Sequence, residues 1–120
     1  MRDIFISVTG GTAAATAYIP VPAKGNVVSV KAVFSKTVAA DDTVTVSRGA
    51  TAVNTLTTGA TTLGVVYTGT PDSTNKDLIF DPDSSTAANK YLKIAISALE
   101  STLTEVGIWI RYDDMAIVAQ

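Results

Sequence analysis

The chain is predicted to fold as an all-β, antiparallel β-sandwich, jelly-roll-like, of about eight to ten short strands. Three observations lead there. Apolar residues recur with period two in several stretches, the period of a strand with one buried face. The β-branched residues are abundant, with 14 Val, 9 Ile and 18 Thr, and such residues suit a pleated, half-buried surface. Turn residues punctuate the alternating stretches at intervals of roughly 8–12 residues, the spacing of a sandwich or barrel.

Four alternations are regular. Val28, Val30, Ala32 and Phe34 alternate with Ser29, Lys31, Val33 and Ser35. Val44 and Val46 alternate with Thr43, Thr45 and Ser47. Leu92, Ile94 and Ile96 alternate with Tyr91, Lys93, Ala95 and Ser97, and Val106, Ile108, Ile110 and Tyr112 with Gly107, Trp109, Arg111 and Asp113. These last two rows are expected in the core as an antiparallel pair joined through Ala98–Thr104, the one stretch suited to a helical turn. Less regular strand candidates are Ile4–Val8, Ala15–Ile19, Ala52–Thr57, Leu63–Thr68, Leu78–Phe80 and Met115–Ala119. Gly10-Gly11, Lys24-Gly25-Asn26, Asp41-Asp42, Arg48-Gly49, Thr58-Gly59, Gly69 to Asn75 and Asp81 to Asn89 mark the turns. Pro20, Pro22, Pro71 and Pro82 fall in or beside them, where a missing N–H removes no ladder bond. An immunoglobulin-like sandwich is the second topology.

At 120 residues the length suits one domain, residues 1–120, with a radius of gyration near ~14 Å. Residues 10–24 differ from the rest: rich in Ala and Thr, with Lys24 as the only charge. They read as an extended arm or an edge-hugging strand. Residues 43–70 hold ten Thr and a single charge, Arg48, which makes flat, neutral strands that stay soluble only if covered or well paired. The whole chain has 20 charged residues, where about 30 would be average for its length. Either Thr and Ser supply the surface polarity, or other chains cover part of the surface.

Composition narrows function by exclusion. The chain has no Cys and no His, so thiolate chemistry, disulfides and imidazole bases are all absent. Ser and Thr are plentiful, but only Lys or a carboxylate could activate them, and no Gly-x-Ser-x-Gly elbow or phosphate-binding loop occurs. The enzyme alternative is a small glycan lyase or hydrolase; retaining or inverting hydrolysis needs two facing carboxyls, yet Glu100 and Glu105 both flank the turn before the last long strand. Asp81-Pro82-Asp83 could begin a calcium cage or simply cap a turn. A net charge of −2 argues against a nucleic-acid partner. No apolar run approaches the ~20 residues of a membrane span, and Arg2-Asp3 does not begin a signal peptide. No catalytic residue, cofactor or metal site is expected. Lys31, Lys36, Arg48 and Lys93 read as either a modest basic patch or a solvated face. Trp109 stands out because alternation places it on the face opposite Ile108 and Ile110, where it would stack a sugar or anchor a subunit unless the sheet is covered on both faces.

The run from Val28 to Phe34, then Val38-Ala39-Ala40-Asp41-Asp42-Thr43-Val44-Thr45-Val46, then Arg48-Gly49-Ala50-Thr51-Ala52-Val53 resembles the jelly-roll head decoration, or cement, proteins of tailed phages. The likeness extends from about Val27 to the closing strand Val106–Tyr112. It implies a structural virion protein on the capsid surface, assembled in the host cytoplasm and bridging neighbouring capsomers. The major capsid protein would be its partner and a homotrimer its expected oligomer. Tyr18, Ile19, Pro20 and Val21 are the candidate interface residues, with Trp109 as a second anchor. The alternative is a carbohydrate- or receptor-binding β-sandwich of a fibre or tail, with Trp109 and Tyr91 as its platform.

Overall fold

A computed structural model describes residues 1–59 and 65–114. Among them the chain runs β1 (Arg2–Gly10), β2 (Ala15–Pro20), β3 (Gly25–Phe34), β4 (Thr43–Arg48), β5 (Thr51–Thr57), β6 (Val66–Thr68) and β7 (Thr70–Pro71). A 3-10 turn, Ala87–Lys90, then leads into β8 (Tyr91–Ile96) and β9 (Thr104–Asp114). Two antiparallel sheets result, β1-β9-β3-β6 and β2-β8-β4-β5-β7. The chain changes sheet between β1, β2, β3 and β4, stays in one sheet for the β4–β5 hairpin, and changes again at β6, at β7 and at β9. With β7 set aside as a two-residue stub, this is the strand order of a jelly roll. The Cα radius of gyration is 14.4 Å.

The alternations place the core. Val44, Val46, Leu92, Ile94 and Ile96 point inward from the second sheet and Val30, Ala32, Phe34, Val106, Ile108, Ile110 and Tyr112 from the first, all buried. The β8 and β9 rows do not pair as expected. β9 is hydrogen-bonded on one side to β1 and on the other to β3, and β8 lies between β2 and β4. Neither has an edge left for the other, so the two rows belong to different sheets and contribute to one core. Nor is Ala98–Thr104 a helical turn. It crosses between sheets, with Leu99 buried, its N–H donating to the Gly11 carbonyl at 2.7 Å, and Leu103 at φ +53°.

Two bulges shift the pattern. In β3 the register slips between Val27 and Ser29, so Val27 takes an inward slot and Val28, expected inside, is exposed. A bulge inserts one residue and changes which face the neighbours meet. In the β4–β5 ladder the slip after Val46 leaves Val53 as the extra residue and sets Asn54 opposite Val46. Val53 and Asn54 are both buried, and Asn54 Oδ1 has no hydrogen-bond partner. The hairpin itself turns on Gly49 at φ +61°, the left-handed region that glycine enters without a steric cost.

Other strand predictions fare variously. Residues 15–20 form the edge strand β2, paired with β8 along its length, so the segment is an edge strand and not a free arm. Leu78–Phe80 is not a strand: a turn holds residues 72–78, and only Phe80 bridges Gly25, with bonds of 3.0 and 2.7 Å. Leu63 and Gly64, and the whole candidate Met115–Ala119, lie outside the described residues. On the far side from β1 and β2 the chain crosses between sheets at Gly69, whose N–H donates to the Val30 carbonyl at 2.8 Å. A side chain there would collide with the Asn54 amide, so the crossing requires glycine.

Ile94 has no exposed surface, and truncating such a residue loses both transfer energy and packing. Ile94→Ala should cost about 2–5 kcal/mol in urea unfolding.

Candidate interaction face

The outward side chains of the β1-β9-β3-β6 sheet are set by cross-strand register. One row reads Phe5, Trp109, Lys31; the next reads Ser7, Gly107, Val33, Val66; a third sets Asp3 against Arg111, and a fourth Thr9 against Glu105. Gly107 has no side chain, so the sheet is hollow at its middle. Phe5 and Trp109 rise on one side of the hollow and Val33 and Val66 on the other, around a groove of about 570 Å³. Phe5 is 73% exposed and Val66 60%. Apolar groups of this size in the polar phase of an alternation are the informative feature of a surface.

Trp109 is only partly exposed. Phe5 stacks near it at 6.2 Å with ring planes 11° apart. The Lys31 ammonium lies 5.0 Å from the ring centroid and the Arg111 guanidinium 5.3 Å, both within cation–π range. The indole Nε1 is buried without a hydrogen-bond partner. Arg111 is also held by Asp3, at 3.4 Å. At the other end Glu105 accepts hydrogen bonds from Thr9 at 2.8 Å and Ser7 at 2.9 Å, and these hydroxyls lower its pKa. The face is therefore apolar at its centre and polar at both ends.

The residues expected to act together do not all meet. Tyr18 is exposed on β2 and meets Tyr91 edge-on at 5.3 Å. Ile19 is half-buried against the core. Pro20 ends the strand on the surface. Val21 is a core residue, its N–H donating to the Lys90 carbonyl at 3.1 Å, so its side chain is not offered to a partner. Trp109 belongs to the other sheet. Tyr91, like Lys93, points outward from the β2-containing sheet, so Trp109 and Tyr91 face opposite sides of the sandwich and form no common platform for a sugar. Phe5, Val33 and Val66 were not singled out by the sequence, although Phe5 and Val33 carry the signal that marked Trp109: a large apolar residue in the outward phase.

The basic patch also disperses. Lys31 and Lys93 lie on different sheets, Arg48 donates to the Ile79 carbonyl at 2.8 Å, and Lys36 to the Thr102 carbonyl at 2.6 Å. The acidic loops act as turn caps: Asp81 accepts from the Asp83 N–H at 2.9 Å, and Asp72 from Thr74 and Asn75 at 3.0 and 2.8 Å. Among the described residues no three carboxylates gather into a metal-binding group. No family model, curated protein or solved structure matches the chain.

One titratable pair lies at the end of the sandwich. Asp42 is buried beside Glu100, and Glu100 Oε1 accepts from the Ala39 N–H at 2.8 Å. Burial first, and then Glu100, push the Asp42 carboxyl up to about 6. Glu100 moves the other way, below its ordinary value, because of the Ala39 N–H and then Asp42. An acid whose folded pKa is raised keeps a proton that the unfolded chain has lost, so its contribution to stability falls as pH rises from about 4 through about 6. Glu100 acts in the opposite sense, and its window lies below its ordinary value of 4.5. The chain should therefore melt higher near pH 5 than near pH 7.5, and Asp42→Asn should flatten that difference in a thermal melt followed by circular dichroism.

Proposed function

We propose that the chain is a structural virion protein: a head decoration protein that sits on the surface of a tailed-phage capsid and bridges neighbouring capsomers through the major capsid protein. The observation that carries this reading is the outer face of the β1-β9-β3-β6 sheet. There Phe5, Val33, Val66 and Trp109 surround a shallow groove with polar ends. A broad, shallow apolar face of this kind suits contact with a protein surface, where aromatic anchors dominate binding. The jelly-roll strand order accords with the proteins that the sequence resembles. The scarcity of charge, 20 residues in 120, also fits a surface partly covered by neighbours.

Co-sedimentation with DNA-filled heads tests the proposal. The wild-type protein should pellet with the heads. Val33→Asp and Trp109→Ala should each lower occupancy about tenfold or more, as removal of an anchor residue does. Lys93→Ala, on the opposite face, should leave it unchanged. Protein that stays in the supernatant and instead binds a glycan array would replace this reading with the receptor-binding one.

A further inference from the structure

β1 is an edge strand without the usual protection of an edge. Its outer side carries no paired strand among the described residues. It runs nine residues, pairs with β9 in unbroken register, and contains no proline. Its only charges, Arg2 and Asp3, lie at its start. The other sheet edges are managed differently: β6 has three residues, β7 has two and contains Pro71, and β2 ends at Pro20. Natural edges are blunted by shortness, proline, bulges or charge because an unpaired row of N–H and C=O groups recruits another strand. The inward residues of β1 are also incompletely covered. Ile4, Ile6 and Val8 are half-buried, while the β9 residues they pair with, Ile110, Ile108 and Val106, are buried.

We infer that β1 pairs with β1 of a second copy of this chain, antiparallel, across a twofold axis at Phe5. Residues opposite each other in an antiparallel pair share a face, so the twofold keeps both alternations intact. On the inner face Ile4 meets Ile6 of the second copy, and the half-buried aliphatic row is closed over. On the outer face Phe5 meets Phe5, extending the Phe5–Trp109 stack into a row of four rings across a sheet of eight strands. Aromatic residues directly opposite each other are favourable cross-strand pairs. Arg2 falls opposite Val8 and Asp3 opposite Ser7, so no like charges face one another. A second copy is the occupant that brings this alternation and this charge placement by symmetry. A twofold pair is isologous and differs from the trimer implied by the resemblance. It does not depend on the virion reading.

The test is the mass of the purified chain by sedimentation equilibrium over a range of concentrations. The expected mass is twice 12.4 kDa. Phe5→Lys and Phe5→Glu should each give monomers, because like charges then face each other across the axis. Phe5 is largely exposed, so both variants should keep the wild-type circular dichroism spectrum. An equal mixture of the two variants should restore the dimer, a result specific to position 5 facing itself. A wild-type mass of one or three chains would overturn the inference. So would a dimer that survives Phe5→Lys, or a mixture of the two folded variants that stays monomeric. Sedimentation with heads tests the virion proposal separately, since either result can stand without the other.

Discussion

The two-sided ladder of β9 is the constraint on which the rest of the structure depends. β1 pairs along one flank and β3 along the other, so the alternation of β9 fixes both the core row and the outer face at once. Val106, Ile108, Ile110 and Tyr112 point in; Glu105, Gly107, Trp109 and Arg111 point out. A slip of one residue would exchange the two sets. The far end is tied down by polar contacts, with the Tyr112 hydroxyl donating to the Ala23 carbonyl at 2.7 Å and Arg2 paired with the buried Asp114. The placement of Trp109 beside Phe5 thus follows from the burial of its neighbours.

Much of the fold was legible because alternation is a local property. Each run of apolar residues at period two states which of its own side chains are buried, and for β4, β8 and β9 that reading matches the core. Partnership is not local. Nothing within Leu92–Ile96 or Val106–Tyr112 distinguishes a neighbour in the same sheet from one across the core, so the two rows were wrongly paired. The bulges at Val28 and Val53 were hidden for a related reason. A run of consecutive valines such as Val27-Val28 fits either phase, and the partner strand decides which residue is expelled. Asn54 is the sharper case. A buried amide has no place in a hydrophobic pattern, and only the slip in the β4–β5 ladder brings it opposite Val46.

The candidate face was half legible. Trp109 announced itself as a large apolar side chain in an outward phase, and the same logic applies to Phe5 and Val33. What could not be read was the adjacency of these residues, which lie on three strands far apart in sequence, or the hollow left by Gly107 between them. The segment around Tyr18 shows two readings, arm or edge strand, that the sequence leaves open. Its prolines and low charge suggest an arm, but the backbone of β2 is used by β8 and Val21 enters the core. Extended conformation alone does not separate a docked strand from a free one.

The low charge of the chain has two structural explanations, and they apply to different places. The neutral, Thr-rich stretch from residue 43 to 57 is β4 and β5, where β4 lies between β8 and β5, and β5 between β4 and β7. There β4 is paired on both sides and β5 on one side along its length and on the other at Asn54 and Thr55, so threonine hydroxyls supply much of the outward polarity. β1 has no such neighbour on its outer side among the described residues, yet it is just as poor in charge beyond Asp3. Closure at Gly69 seals one side of the sandwich, while the β1 and β2 edges lie on the other. Internal pairing in the second sheet thus accounts for the missing charges along β4 and along part of β5. In the first sheet the missing charges coincide with a strand edge that is unpaired among the described residues and with a row in which Phe5 is exposed and Trp109 partly so.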